Sequence, residues 1–181
     1  MGAERSDDTA RRGHWLRDIG EGMVVGCFAG IPQVIAAQIV GGLVGRRERA
    51  DIAPRLVQNT AEQFGESLSR PTRWLMATVF HFGYAAGWGG AYAVAQKALG
   101  ARRVPEWLSG GVLGALVYVA AFSRIGGGTL VGAERHPDRR ENRELAVQWT
   151  STLSFALTLV YGYRWLRGRA EGGGGARDGQ G

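Results

Sequence analysis

Long stretches without a charged residue alternate along this chain with short, densely charged connections. Residues 22–45 are 24 consecutive positions free of Asp, Glu, Lys, Arg and His. As a helix rising 1.5 Å per residue they extend about 36 Å, enough to cross a hydrocarbon core of roughly 30 Å. Residues 74–96 hold His81 as their one ionisable group, residues 107–133 hold only Arg124, and residues 145–163 hold none. Soluble helices of this length carry a charged face, and these four stretches do not. The pattern predicts an all-α integral membrane four-helix bundle, with spans at about 22–45, 74–97, 107–131 and 145–166.

The span ends carry the aromatic and basic residues of an interfacial belt: Trp15, Trp74, Trp107, Tyr161, Tyr163, Arg164, Trp165 and Arg167. Arginines precede the first stretch, as they would a signal peptide. Its apolar part exceeds the roughly 7–15 residues of such a segment, and no small-x-small cleavage site follows, so it reads as an uncleaved span. Residues 1–21 read as a basic polar tail, 22–166 as the transmembrane domain and 167–181 as a disordered glycine-rich tail. Within the connection 46–73, Ile52, Leu56, Val57, Phe64 and Leu68 recur at helical spacing. They predict an additional interfacial amphipathic helix at about 54–69, lying on the membrane surface or covering the end of the bundle. The short connection 97–106 predicts that spans two and three are antiparallel neighbours.

Composition read as averages would suggest a different protein. The 181 residues include 30 glycines and are 45% hydrophobic, with mean hydropathy −0.13, net charge +6 and pI near 10.2. Those values describe a basic soluble domain with an affinity for nucleic acid. The distribution argues against that class, because the charges sit in the tails and connections, and leaves a soluble bundle of buried helices as the alternative. Cys27 is the one cysteine, which excludes an internal disulfide. Four spans put both termini on one side. Lys and Arg number 11 on that side and 10 on the other, so the positive-inside count is a near tie. The cluster Arg164, Arg167 and Arg169 directly after the last span favours a cytoplasmic position for the termini.

Small residues form stripes on the spans. Gly26 and Gly30 continue a line from Gly22 on span one, Gly110 and Gly114 share a face of span three, and Gly83 and Gly87 share a face of span two. In lipid, where apolar helices gain nothing by hiding from the solvent, such stripes permit close helix packing. Pro32 removes a backbone hydrogen bond and reads as a kink, with room opening near Gln33 as the alternative. The polar residues share a depth: His81, Arg124 and Gln148 fall in the membrane half away from the termini, near Glu134. Together with Gln33 they form a candidate polar pocket. The bland reading has Arg124 snorkelling to the headgroups and His81 hydrogen-bonded in the core. No phosphate loop, nucleophile elbow, H-E-x-x-H or Cys-x-x-Cys is present, so no catalytic residue, metal site or cofactor is expected.

From about residue 53 to 166 the chain resembles the YagU-like bacterial inner-membrane proteins, through APRLVQNTAEQFGESL, FHFGYAAGWGGAYAV and GGVLGALVYVAAFSRIGGGTLVG. The resemblance implies a multi-pass, four-span protein of the bacterial inner membrane and supplies no catalytic residue. The expected function is a non-enzymatic structural or partner-binding subunit. The alternative is a small oligomeric transporter or channel component using the polar pocket for an anion or proton; an enzyme ranks third. Expected partners are the lipid bilayer and a second copy or another membrane protein, not nucleic acid.

Overall fold

The computed structural model of the chain describes residues 3–43, 52–99, 104–123, 126 and 142–174, which form five helices and no strand. They are α1 (Ala3–Leu43), α2 (Ile52–Gln63), α3 (Arg70–Ala98), α4 (Glu106–Phe122) and α5 (Asn142–Gly174). The segment His14–Leu43 of α1 is long and apolar enough to cross a membrane by length and composition, and α4 is apolar but only 17 residues long.

Local chemistry sets several of the ends. Ser69 caps α3, its Oγ accepting from the backbone N–H of Thr72, and Pro71 occupies the first turn, where a missing N–H costs nothing. After α2, Gly65 adopts φ +78°, while Glu66 N–H donates to the Ala61 carbonyl and Gly65 N–H to that of Glu62. That is a Schellman ending, in which the left-handed position favours glycine. Helix α4 stops where Ser123 turns extended, with ψ 176°.

Packing follows the order α3–α1–α5–α4, with α2 against α3. The α1–α3 seam is backbone on backbone. A Cβ on Gly22 or Gly26 would collide with the Gly89 or Ala85 carbonyl oxygen, and one on Gly89 with that of Gly22. Helix α4 meets α5 at Gly110, where a Cβ would lie 2.6 Å from Leu157 Cδ2, and at Gly114, 3.0 Å from Leu153 Cδ2. The interior joins Ala29, Ala85 and Ala93 to Leu113, Val117, Phe155, Leu159 and Val160, so all four long helices share one core.

Several boundaries differ from the sequence reading. Helix α1 begins at Ala3, within the expected polar tail, and α5 continues to Gly174, past the expected start of the disordered tail. Extending an established helix costs far less than nucleating one, so polar ends are carried along. Helix α2 starts two residues earlier than expected and ends six earlier, at the Gly65 turn. Helix α4 ends at Phe122 rather than near 131. Helices α3 and α4 are joined by a short connection yet do not pack along their lengths; α3 packs on α1 through Ala85, Gly89 and Ala93, and α4 on α5 through Gly110 and Gly114.

Candidate functional site

The two ends of the bundle differ in chemistry. At the end holding the start of α1, charges tie the helices together. Asp18, 6% exposed, accepts from Lys97 Nζ of α3 at 2.8 Å and from Arg167 Nη1 of α5. Glu21, one turn further along α1, bonds Arg17 at 2.8 Å and lies 3.6 Å from the same Arg167. Arg164 brings in α4, donating to Glu106 Oε1 at 2.8 Å and to the Val104 carbonyl at 2.6 Å. Lys97 also sits 4.6 Å above the Trp15 ring. Burial alone would raise the Asp18 carboxyl; the Lys97 hydrogen bond and the Arg167 charge outweigh it and hold the group below its ordinary value.

At the opposite end lies a cavity of about 500 Å³ walled by all five helices. Gly30, Gln33 and Val34 of α1 face His81 and Ala77 of α3, with Val117 and Ala121 of α4 and Ser151 and Thr152 of α5 behind them. Ala53, Pro54 and Leu56 of α2 close one edge. His81 Nε2 lies 3.2 Å from the Gly30 carbonyl oxygen. A carbonyl can only accept, so Nε2 carries the proton in this contact. Ser151 and Thr152 both donate to the Gln148 carbonyl, at 3.0 and 2.9 Å, and Thr78 donates to that of Trp74 at 2.9 Å. The wall is mostly apolar; the Thr78, Ser151 and Thr152 hydroxyls are bonded within their own helices, while the Tyr84 hydroxyl, buried without a hydrogen-bond partner among the described residues, and the Gln33 and Gln38 amides also line it.

The structure brings His81 and Gln33 to this cavity. Gln148 is buried a turn away, beneath Ser151 and Thr152, and does not line it. Arg124 and Glu134 lie outside the described residues. Gly26 and Gly30 sit on the α1–α3 seam, and Gly110 and Gly114 on the α4–α5 contact. Gly83 and Gly87 do not: nothing lies within 4 Å of where their Cβ atoms would stand. The face of α3 that meets α1 is His81, Ala85, Gly89 and Ala93. Glycine alone was a misleading marker, since alanine serves close packing as well.

Sequence reasoning missed the Asp18 cluster. The signal was present: Asp18 and Glu21 precede the first charge-free stretch, Lys97 follows the second and Arg167 follows the fourth. Alternating passage through the bundle brings those positions to one level. Among the described residues no three His, Cys, Asp or Glu converge as metal ligands. In comparisons with known proteins, no family model, no curated protein and no solved structure matches the chain.

Proposed function

We propose that the chain is a multi-pass membrane protein, crossing the bilayer with α1, α3, α4 and α5 and acting as a structural or partner-binding subunit. The observation that carries this reading is the number of large apolar side chains on the outside of the bundle while polar ones are buried within it. Large apolar residues such as Val24, Phe28, Leu75, Val79, Val112 and Leu116 are exposed, while the polar side chains of Glu144, Gln148 and Thr152 are buried. In water, so much exposed apolar surface on one chain would drive aggregation. In lipid it is the favourable arrangement, and small-residue seams supply the helix contacts. A core helix of a soluble protein is mostly buried, whereas the apolar window of α1 is 17% buried.

In this reading the protein lies in the bacterial inner membrane with both termini on the cytoplasmic side, at the level of the Arg164–Arg169 region of α5. Alkaline carbonate extraction tests it. The protein is expected to stay with the membrane pellet, and release into the supernatant refutes the reading. The partner-binding role predicts a co-purifying protein or a second copy after mild detergent extraction. A monomer that elutes alone under every gentle condition overturns that role.

A further inference from the structure

We propose that the cavity at the α2 end of the bundle holds one acyl chain of a membrane phospholipid, taken up sideways from the surrounding bilayer. This rests on the membrane reading above. Three observations choose this occupant over a polar solute.

The first is the state of the polar groups in the wall. The Thr78, Ser151 and Thr152 hydroxyls donate to backbone carbonyls of their own helices, and His81 Nε2 meets the Gly30 carbonyl. Beyond these the lining offers the Gln33 and Gln38 amides and the Tyr84 hydroxyl among a majority of apolar side chains, so a hydrated solute would give up more hydrogen bonds than this wall replaces. An acyl chain needs none.

The second is dimension. Along α3 the lining runs from Trp74 to Tyr84. Ten residues of helix are about 15 Å, half of a hydrocarbon core of about 30 Å and thus the depth of one leaflet. Trp74 marks the interfacial level, and Arg70 and Arg73 stand within the preceding turn, where a phosphate group would be placed. A cavity of about 500 Å³ falls within the usual size of ligand sites.

The third is access. Ile31, Val34, Ile35 and Phe80 line the cavity and are also exposed on the outside of the bundle. Helices α3 and α4 do not pack along their lengths, and through these four side chains the cavity wall and the outer apolar surface are shared. A chain enters from lipid without passing through water.

The test uses the full chain reconstituted in phosphatidylethanolamine–phosphatidylglycerol vesicles containing a phosphatidylcholine with a photoactivatable diazirine in one acyl chain. After irradiation, adducts are mapped by mass spectrometry. Adducts are expected to be enriched on Ala77, His81 and Ala121 over the outer positions Val24 and Phe28. Ala120→Phe, at an exposed lining position, and Ala37→Phe should lower the cavity adducts by about tenfold, the scale on which an overfilled apolar site loses occupancy. Adducts on Val24 and Phe28 should be unchanged. Equal labelling of cavity and outer positions overturns the proposal, as does cavity labelling indifferent to Ala120→Phe. Enrichment with a diazirine fatty acid but not with the phospholipid overturns the assigned source. If Val24 and Phe28 acquire no adducts at all, the membrane reading itself has failed. If they are labelled without cavity enrichment, only the acyl-chain site has.

Discussion

His81 and Gly30 face each other across the α1–α3 seam, with imidazole Nε2 3.2 Å from the carbonyl oxygen. The absence of a side chain at Gly30 makes this approach possible, since a Cβ there would stand 3.1 Å from the same nitrogen. One helix repeat further along, the partner of α1 is Ala85, and beyond that Gly89. The seam is thus a single run of close contacts whose last member, at the cavity, is a hydrogen bond rather than a collision avoided.

Replacing His81 by Phe keeps most of the volume and removes the bond. The expected loss is about 1 kcal/mol, the usual net value of a protein hydrogen bond. Reversible unfolding in mixed detergent micelles measures it. A variant as stable as the parent would show that the contact contributes nothing.

Gly26→Val should be far more costly, because its Cβ meets the Ala85 carbonyl, and backbone cannot step aside as a side chain tip can. A loss of about 3 kcal/mol or failure to fold is expected, at or beyond the upper end of ordinary overpacking. Gly83→Ala and Gly87→Ala are the matched controls on α3. Both positions are open, so alanine should be neutral or stabilise by up to about 1 kcal/mol through helix propensity.

Asp18 gives a pH signature. Its folded carboxyl titrates below its ordinary value of 3.8, so its stabilising contribution is present above that pH and is lost as pH falls through the lowered folded value. The unfolding temperature should therefore decline on acidification below about pH 4, and Asp18→Asn should flatten that part of the profile. At neutral pH the Asn variant takes the carboxylate from Lys97 and leaves Arg167 with Glu21, 3.6 Å away, and should be less stable by about 1–3 kcal/mol, the cost of leaving a buried polar group poorly satisfied. Thermal unfolding followed by circular dichroism across the pH range checks both.

Arg164→Ala should loosen α4 selectively. The guanidinium holds the Val104 carbonyl and Glu106, while the glycine contacts of α4 with α5 lie further along the helix. Faster amide hydrogen exchange is expected in the first turns of α4, with the α1–α3 seam unchanged. Equal acceleration throughout would instead mean that Arg164 supports the whole bundle.

The helical class was legible because charge-free stretches report on environment rather than on any one contact. Gly22, Gly26 and Gly30 were legible as a stripe at four-residue spacing, although the same spacing at Gly83 and Gly87 marks an open face. The partner face on α3 was hidden, since Ala85 and Ala93 differ little from ordinary helix filler. The pairing of Asp18 with Lys97 and Arg167 joins residues up to 149 positions apart, and only the order in which helices pack settles it. The same holds for the separation of α3 from α4, which their short connection does not foretell. Gln33 was found through Pro32 beside it, whereas Gln148 is buried and does not line the cavity.

The placement of the charges along the bundle also has a mechanical side. Asp18, Lys97, Arg164 and Arg167 pin α1, α3, α4 and α5 at a single level, as a pivot pins the blades of a fan. Helix α3 reaches about 43 Å at 1.5 Å per residue, so a tilt of about 5° about that pivot moves its free end nearly 4 Å. That is close to the width of a hydrocarbon chain. Any widening of that size between α1 and α3 at the cavity end has to open the Gly30–His81 contact, while the ion pairs at the other end can stay in place.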